Sequence, residues 1–385
     1  MRIGIDAREL CGRSTGVGRY LGGLLREWTA DDRARAHEFV LYAPEPIALS
    51  LDARRFPART IAGSGGTWWE QVQVPRAVAP DHLDVWFAPA YTAPLRLVAP
   101  TVVAIHDLSF VAHPKWFRRR EGARRRWLTR QSAGRAAAVI TISEFTKREL
   151  IDRLDVPAEL IHVIPPGITP ASISDQPSRL RSPNDQATFG EARQSAEGAT
   201  AAAISHGKVL FVGSIFNRRH VTDLIRAFSA IARSHPGASL DIVGDNRSYP
   251  REDLREAIAA QQLESQVRWH EYVTDQQLAA LYAGARAFAF LSEYEGLGLT
   301  PLEALAAGVP PVLLDTAVAR ESCGGAAIYV PLDDLPATTR ALETLLFDDR
   351  ARQRILAEAP AELAKYSWPR AARDTLAVLE GAGSG

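Results

Sequence analysis

The segment Leu291–Pro310 reads LSEYEGLGLTPLEALAAGVP, an apolar run that leads into a glycine-rich turn and then into a small, apolar helical pattern. A strand, a turn and a helix in this order form the repeating unit of parallel α/β sheets. Two carboxylates flank the turn, Glu295 at its beginning and Glu303 in the helical pattern. Carboxylates accept hydrogen bonds from sugar hydroxyls, and a helix N-terminus presents free N–H groups to phosphate. The segment therefore predicts an α/β fold with a sugar-phosphate pocket at this turn.

A purely structural role is the alternative for the same residues. Thr300 can cap a helix that begins at Pro301, and Glu303 then occupies the third helical position of a capping box. Glu295 would be a solvated carboxylate in a turn. This alternative leaves the glycines unexplained, because Gly296 and Gly298 allow the backbone to approach a ligand closely. Both roles stay open on these residues alone.

Composition limits the classes of protein to consider. The 385 residues favour two domains, and an apolar content of 46% suffices for two ordinary cores. The formal net charge is zero, so nucleic acid is not an expected partner. Cys11 and Cys323 provide neither a disulfide framework nor a CxxC metal pattern. The N-terminal MRIGIDAREL lacks the apolar core of a signal peptide, and no window is apolar enough to span a membrane, so we expect a soluble cytoplasmic protein.

Short apolar runs alternate with helical patterns along the chain, which predicts parallel sheets covered on both faces. The predicted strands are Ile3–Ile5, Phe39–Tyr42, Val85–Ala88, Val102–Ile105, Ala138–Ile142, Val209–Val212, Leu240–Val243, Val267–His270, Ala287–Leu291 and Val309–Leu314. Segments with helical periodicity lie between them, such as Val221–Arg233 and Thr274–Ala285.

A polar segment divides the two halves of the chain. Residues 170–207 are rich in Ser, Ala, Gln and Pro and contain no clear strand, which is typical of a linker or a surface insertion. We therefore predict a first domain at 1–168, a linker at 169–207 and a second domain at 208–367. The cleft between two α/β halves is the expected place for a ligand.

The opening segment resembles the E-x7-E signature of retaining glycosyltransferases of family 4, which have the GT-B architecture. The family pattern is approximately E-G-F-G-L-x-x-L-E-A-x-A-x-G-x-P. The matching residues are Glu295, Gly296, Gly298, Leu299, Leu302, Glu303, Ala304, Ala306, Gly308 and Pro310. Leu297 is a minor departure, because an aromatic residue is common there. The resemblance implies an α/β fold of two Rossmann-like domains facing a central cleft, with Glu295 beside the donor sugar and Glu303 on the nucleotide ribose.

A second loop supplies positive charge. The stretch Gly213–His220, GSIFNRRH, follows a predicted strand and precedes a helix. Arg218 and Arg219 at a helix start oppose the helix dipole unless an anion is present, although exposed arginines in a solvated loop are the simpler alternative. The stretch is similar to the family's G-x4-R-K-N element, whose basic residues hold the donor diphosphate. Arg219 replaces the lysine and His220 the asparagine, so the charge is kept while its geometry changes from a point to a fork.

A glycine loop lies near the N-terminus. The stretch Ser14–Tyr20, STGVGRY, opens a helix, and Leu21 stands where a dinucleotide fingerprint needs its third glycine. An ordinary helix start is one possibility. The stretch also resembles the T-G-I-G-R-Y loop of mannosyltransferase-like family members, whose glycines lie near the donor phosphate. The donor diphosphate site implied by these resemblances consists of Arg218, Arg219, Gly16, Gly18, Gly298, Leu299 and Thr300.

The predicted strand Val102–Ile105 ends in His106 and Asp107. A histidine here lies at the active edge of a parallel sheet, although a lone histidine is more often structural. The family has an H-D pair whose histidine touches the donor sugar, which implies a catalytic role for His106, with Asp107 orienting it or meeting the acceptor. Tyr272 and Val273 correspond to the family's turn that meets the nucleotide base.

A basic stretch with aromatic residues remains. Lys115–Arg130 reads KWFRRREGARRRWLTR, and on a helix it would present arginines over a broad face with Trp116 and Trp127 among its apolar anchors. A solvated helix face is the favoured interpretation. The alternative is contact with anionic lipid or with a lipid-diphosphate acceptor, at the inner face of the plasma membrane.

Together the resemblances imply retaining transfer of a hexose from a nucleotide diphospho-sugar, GDP-mannose or a related donor, to a glycan or lipid-linked glycan in cell-surface polysaccharide synthesis. No Asp-x-Asp motif occurs, so no metal or other cofactor is expected and the arginines would neutralise the leaving diphosphate. The family suggests front-face attack rather than a glutamate nucleophile. Residues 368–380 resemble the family's last helix, which crosses back to the first domain. A nucleotide-sugar epimerase of the same architecture and a non-catalytic sugar-binding module are the alternatives.

Overall fold

The apolar runs form two parallel sheets in the computed structural model, which describes residues 1–12, 15–47, 49, 51–168 and 207–384. The seven strands of the first sheet are β1 (Arg2–Asp6), β2 (Glu38–Ala43), β3 (Ala58–Thr60), β4 (Val85–Ala88), β5 (Thr101–Ala104), β6 (Ala138–Thr141) and β7 (Ile161–Val163). The six strands of the second sheet are β8 (Lys208–Val212), β9 (Ser239–Val243), β10 (Val267–His270), β11 (Ala287–Phe290), β12 (Pro311–Leu314) and β13 (Ile328–Val330).

Helices cover both sheets. The helices before the polar segment are α1 (Gly16–Ala30), α2 (Val74–Val78), α3 (Ser109–Ala112), α4 (Arg119–Ala133) and α5 (Glu144–Leu154). Those after it are α6 (Val221–Ser234), α7 (Leu254–Ala260), α8 (Asp275–Gly284), α9 (Leu299–Ala306), α10 (Ala317–Cys323), α11 (Leu335–Phe347), α12 (Asp349–Leu363) and α13 (Trp368–Gly383). Central strands such as β4, β11 and β12 are buried throughout, because helices exclude solvent from both faces of a parallel sheet.

The strand order locates the crevices. The first sheet runs β3-β2-β1-β4-β5-β6-β7 and the second β10-β9-β8-β11-β12-β13, with every neighbouring pair parallel. In each sheet the order reverses beside its first strand in the chain, which is where ligands bind in doubly wound α/β folds. The loops after β8 and β11 flank this point in the second sheet. These are the loops with the predicted arginines and Glu295.

Each strand predicted from the sequence is present, with ends that differ by a residue or two. Three further strands were not predicted: β3, β7 and β13. All three have three residues and lie at the edge of a sheet. Because β3 is exposed along its length, its sequence needs no apolar pattern. The strands β7 and β13 each bury one apolar side chain, Ile161 and Val330, which is too few to give a recognisable pattern over three residues.

The last helix returns to the first half of the chain. The indole Nε1 of Trp28 on α1 donates to the carbonyl oxygen of Ala372 on α13 at 2.9 Å. Leu376 and Leu379 on α13 are fully buried in the core that β1 and α1 also line. The first domain therefore contains a helix from the distant end of the sequence, at the place of the predicted segment 368–380.

The predicted linker at 169–207 lies outside the described residues except for Gly207, and so does Ser14 of the glycine loop. In the described part of the chain, no helix has the length and hydropathy needed to cross a membrane.

Candidate active site

The loops after β8 and β11 lie side by side. The Arg218 Nε donates to the carbonyl oxygen of Tyr294 at 3.2 Å, and the N–H of Glu293 donates to the carbonyl oxygen of Arg218 at 2.9 Å. These bonds fix the basic loop against the glutamate loop. Arg218, Arg219 and Glu295, which the sequence places in separate motifs, therefore share one site.

Glu295 is held by groups of its own domain. The Arg219 Nε lies 2.7 Å from Glu295 Oε1, and the Ser292 Oγ donates to the same oxygen at 2.9 Å. Burial alone would raise the pKa of Glu295, but the charges of Arg219 and Arg218 hold that pKa below the usual glutamate range. The carboxylate is therefore ionised at neutral pH, and a fixed guanidinium balances its charge.

The two arginines are immobilised in different ways. The Arg219 Nη1 donates to the carbonyl oxygen of Ser214 at 2.8 Å. The Arg218 guanidinium lies 4.3 Å from the ring centroid of Phe216 and 5.8 Å from that of Trp116, which belongs to the first domain. Aromatic faces attract a guanidinium but leave its charge in place. The loop therefore keeps positive charge beside the cleft, where an anion can bind.

The start of α9 differs from the predicted capping box. The helix begins at Leu299, its N-cap is Gly298 with φ of +87°, and no side chain caps it. Thr300 is the second helical residue, so the capping-box prediction is wrong. Glycine adopts this left-handed conformation without a steric penalty, and Pro301 still falls in the first turn, where an N–H has no helical partner. The first turn thus retains backbone N–H groups that can meet a phosphate.

Glu303 faces the opposite domain. The Arg19 Nη1 on α1 lies 3.3 Å from Glu303 Oε1, with the two side chains 56% and 16% exposed. Burial raises the pKa of Glu303, and Arg19 and the Tyr282 hydroxyl oppose this only in part. The carboxylate thus meets Arg19 of the other domain and does not cap its own helix.

His106 lies on the first-domain side of the site and is 8% exposed. Its Nε2 lies 2.7 Å from the carbonyl oxygen of Pro89, and the ring of Tyr20 contacts its edge at a centroid distance of 4.8 Å. Burial lowers the pKa of His106, so the ring is neutral at neutral pH. Because a carbonyl can only accept, Nε2 carries the proton and Nδ1 carries the lone pair. A Cβ atom at position 296 would collide with the His106 carbonyl oxygen, so only glycine lets the two loops meet.

Asp107 organises the turn before α3. Its carboxylate accepts from the Tyr91 hydroxyl at 2.7 Å and from the N–H and Oγ of Ser109 at 2.9 and 2.6 Å. Burial would raise the pKa of Asp107, but these hydrogen bonds, with the charge of Arg218, lower it. Pro89, rather than Asp107, orients the His106 ring. The predicted contact of Asp107 with an acceptor stays a prediction.

The remaining predicted residues lie at the start of α1 and after β10. Thr15 caps α1 by accepting from the N–H of Gly18 at 2.9 Å, and Gly16 is exposed at the first helical position. Tyr272 is 75% exposed after β10, whereas Val273 packs against the second core. Their roles toward a phosphate and a base stay predictions.

One group of possible metal ligands exists among the described residues: His220, Asp223 and Asp333, whose ligand atoms lie within 4.8 Å of one another. His220 Nδ1 lies 3.1 Å from Asp223, and its Nε2 lies 2.6 Å from Glu293. The Arg226 Nη1 lies 2.9 Å from the other Asp223 oxygen. Asp223 therefore has close partners in His220 and Arg226. The prediction that the reaction needs no metal stays a prediction.

Most of the basic stretch forms α4, but the helix begins only at Arg119, so Trp116 lies in a preceding turn. The arginines of α4 are not equivalent. The Arg125 guanidinium carbon lies 4.8 and 4.7 Å from the ring centroids of Tyr91 and Phe110. Arg125 therefore packs against Tyr91, which binds Asp107. Arg124 reaches the hydroxyl of Thr67 at 2.9 Å, and Trp127 on the same face is 58% exposed. The outer face of α4 therefore combines arginines with an exposed tryptophan.

Two site residues escaped the sequence analysis: Arg19 and Tyr294. A cation in the first turn of a helix opposes its dipole, and that signal marks Arg19 as it marked Arg218 and Arg219. Tyr294 carries no such signal, because a tyrosine that follows a buried strand usually packs in the core of its own domain.

Family comparisons agree with this geometry. Residues 14–172 match the model described as Glycosyltransferase Family 4, and residues 206–348 match the model described as Glycosyl transferases group 1. The chain is a glycosyltransferase of the GT-B type. The first matched region contains every strand of the first sheet except β1, and the second contains every strand of the second sheet together with the paired glutamates.

Characterised relatives of the glycosyltransferase include two mannosyltransferases. O-antigen chain mannosyltransferase B of Escherichia coli is 25% identical over 77% of this chain and 74% of that protein. GDP-mannose:cellobiosyl-diphosphopolyprenol alpha-mannosyltransferase of Xanthomonas campestris is 28% identical over 72% of this chain and 70% of that protein.

Solved structures share the glycosyltransferase fold. HepE of Anabaena, solved in complex with UDP and glucose, superposes with a TM-score of 0.72 at 19% identity and covers 99% of this chain and 100% of that one. WaaG, a glycosyltransferase involved in lipopolysaccharide biosynthesis, has a TM-score of 0.71 at 17% identity with the same coverage. At these identities the likeness establishes the fold.

Proposed function

We propose that the enzyme transfers a hexose, with retention of configuration, from GDP-mannose or a related nucleotide diphospho-sugar to a glycan or lipid-linked glycan. The observation that carries the proposal is the grouping of Glu295, Arg218 and Arg219 at the start of α9, opposite His106. The group combines a fixed anion for a sugar, cations for a diphosphate and a neutral imidazole. A nucleotide diphospho-sugar offers hydroxyls to the carboxylate and the imidazole and a diphosphate to the cations.

The arginines and the first turn of α9 would stabilise the leaving diphosphate. Negative charge grows on its terminal oxygen as the bond to the sugar breaks, and preorganised cations and N–H groups lower the barrier to that step. Arg219 is already fixed by Ser214 and Glu295, so little reorganisation is needed. This arrangement supports transfer without a metal ion.

Glu295 would position the sugar rather than attack it. Its Oε1 is occupied by both Arg219 and Ser292, and a carboxylate paired with a guanidinium is a weak nucleophile. The geometry supports front-face attack, in which the leaving phosphate oxygen takes the proton of the acceptor hydroxyl. His106 would accept a hydrogen bond from a sugar hydroxyl through Nδ1, because Nε2 is committed to Pro89.

Glu303 would exchange one partner for another during donor binding. A ribose offers two neighbouring hydroxyls, each a donor to a carboxylate. Arg19 now occupies Glu303 Oε1 at 3.3 Å, so the ribose must displace it. Arg19 is half exposed and can turn into solvent at small cost.

The sugar and the acceptor are inferred from two lines of support. The TGVGRY loop resembles that of mannosyltransferase-like family members, and the relatives named above are mannosyltransferases. One relative acts on a diphosphopolyprenol, as its name states. A lipid-linked glycan therefore fits the acceptor class, and cell-surface polysaccharide synthesis fits the process.

A thermal-shift screen of UDP-, GDP- and dTDP-sugars tests the donor. Selective binding to the folded state raises the unfolding temperature, so the correct donor gives the largest shift. NMR of the product with a lipid-linked acceptor then reports the anomeric configuration, and incubation without acceptor detects an epimerase. No shift with any nucleotide sugar, or product of inverted configuration, would contradict the proposal.

We further propose that α4 binds the cytoplasmic face of an anionic membrane. Arg120, Arg124 and Trp127 lie on one exposed helical face, where arginines attract anionic lipid and an indole enters the interface. Replacing Arg120 and Arg124 by Gln should weaken co-sedimentation with phosphatidylglycerol vesicles. Arg350→Gln with Arg354→Gln on α12, also exposed, is the matched control. Equal binding of both double variants would refute the contact.

A further inference from the structure

The segment Tyr294–Gly296 alternates between the two domains. Tyr294 points into the first domain, Glu295 points back to Arg219 of the second, and Gly296 lies against the carbonyl oxygen of His106. The glutamate at the centre of the proposed site is thus flanked on both sides by residues anchored across the cleft.

Tyr294 fills a slot in the first domain and is 5% exposed. Its hydroxyl donates to Glu149 at 3.2 Å and accepts from the N–H of Leu108 at 3.3 Å. Its ring contacts those of His113 and Phe145 edge to face, at centroid distances of 5.3 and 5.4 Å. Satisfied polar groups and aromatic packing together give a specific contact rather than a loose one.

The backbone of Gly296 is anchored to the start of α5. The Ser143 Oγ donates to the Gly296 carbonyl oxygen at 2.5 Å, and the Thr146 Oγ1 lies 3.3 Å from it. Ser143 is also the N-cap of α5, so one hydroxyl serves the helix and the other domain. The position of the glutamate loop is therefore tied to the first turn of α5.

Glu321 on α10 makes a second contact with the same turn. Its two carboxylate oxygens accept from the N–H groups of Glu144 and Phe145 at 2.6 and 2.8 Å. A carboxylate at a helix N-terminus satisfies N–H groups that have no helical partner and is stabilised by the helix dipole. Here the capping carboxylate comes from the other domain. The Glu321 side chain is 25% exposed and lies outside the donor-binding loops.

We propose that Tyr294 and Glu321 are positioning residues, which dock the second domain on the first turn of α5 and thereby hold Glu295 and Arg218 opposite His106. The proposal rests on the function proposed above and adds to it how the reacting geometry is set. The carbonyl oxygen of Tyr294 accepts from Arg218, so the basic loop and the glutamate loop form one unit, and loss of the docked side chain moves that unit relative to His106. Donor binding by the second domain does not need the dock, whereas transfer does.

The test compares Tyr294→Ala with Tyr294→Phe. We expect the alanine variant to lose about tenfold to a hundredfold in kcat, since misplacement by about 1 Å carries costs of this size. The equilibrium Kd for donor should stay within about threefold of wild type, by calorimetry without acceptor. The phenylalanine variant keeps the ring contacts and should recover most of the kcat. A merely structural tyrosine would leave kcat per folded molecule unchanged, and that result would overturn the proposal.

Glu321→Ala supplies an independent variant outside the donor loops. We expect faster hydrogen exchange in peptides covering Glu144 and Phe145, a larger radius of gyration by small-angle X-ray scattering and a lower kcat. Glu264→Ala, at an exposed position just before β10, is the matched control and should change none of these. Unchanged exchange and radius of gyration in both Glu321→Ala and Tyr294→Ala would refute the dock.

The readouts separate this proposal from the enzymatic one. Hydrogen exchange and scattering are measured without any donor, so they decide whether the dock exists even if no nucleotide sugar binds. Absence of donor binding in the wild-type protein would instead refute the proposed function. If the domains of the Tyr294→Ala protein separate but transfer stays normal, the positioning role is refuted, while the dock and the proposed function stand.

Discussion

Glu295 and Glu303 lie eight positions apart on one loop and helix, yet their surroundings differ in kind. Glu295 is paired with Arg219 of its own domain, and its pKa is lowered. Glu303 is paired with the half-exposed Arg19 of the other domain, and its pKa is raised by burial. The first carboxylate is preorganised before a donor arrives, whereas the second is held by a partner that the donor must replace. Two similar side chains can thus serve chemistry and binding because their charged partners lie in different domains.

Glu295→Gln should give the largest effect. The amide keeps the shape of the side chain but removes the charge that positions the sugar and pairs with Arg219. We expect kcat to fall by about a hundredfold to a thousandfold, as for the loss of one preorganised group that stabilises a transition state. Steady-state transfer with the donor identified by the screen measures it. A loss confined to KM would show that Glu295 only binds.

Glu303→Gln should act on binding instead. A hydrogen bond to a charged group contributes about 1.5–3 kcal/mol, so donor affinity should fall by roughly tenfold or more. The kcat at saturating donor should change little. Calorimetry with the nucleoside diphosphate gives the affinity, and a selective fall in kcat would place Glu303 with Glu295 and end the distinction.

Arg19→Gln sharpens the comparison with a smaller effect. An exposed ion pair contributes about 0.2–1 kcal/mol, so removing this competitor of the ribose should raise donor affinity by about 1.4-fold to fivefold. The same calorimetric titration applies. Weaker binding would show that Arg19 itself contacts the donor.

The two glutamates should also affect stability with opposite pH dependence. The lowered pKa of Glu295 means that its ionised form stabilises the folded protein at neutral pH, a contribution lost as the pH falls through its folded value. The raised pKa of Glu303 means that its contribution is present in acid and lost as the pH rises. At neutral pH, Glu295→Gln should lower the unfolding temperature by a few degrees and Glu303→Gln should leave it equal or higher. Both differences should shrink toward pH 4, as calorimetric scans across this range can check.

Chelation should have the smallest effect. If Arg218 and Arg219 carry the charge of the leaving diphosphate, dialysis against EDTA leaves kcat within about twofold of the untreated enzyme. A large loss of kcat after dialysis that Mg²⁺ or Mn²⁺ restores would contradict the proposal that transfer needs no metal ion.

The sequence predicted the central strands and the two-domain α/β architecture because buried parallel strands need continuous apolar runs. Edge strands such as β3 escaped, since pairing with β2 and not burial defines them. The capping box failed at Gly298, where a backbone conformation competes with a side-chain cap. Motifs brought Glu295 and the arginines together, because loops at one switch point share a sheet edge.

Contacts across the cleft were beyond sequence reasoning. Arg19 meets Glu303 across 284 positions of sequence, and Tyr294 meets Leu108 across 186. Local periodicity and capping rules act over a few residues, so they carry no information on which loops of two domains will meet. The dipole argument marks Arg19 as unusual but does not name its partner.

The return of α13 to the first domain also bears on biosynthesis. The core of β1 and α1 includes Leu376 and Leu379, which follow the whole second domain in the sequence. Domains usually fold in the order in which the ribosome releases them. Here residues 208–367 emerge before the first core has its last helix, so the second domain can finish folding while the first still exposes the apolar surface that α13 will cover. The first core therefore gains its last helix only after residues 208–367 have been synthesised.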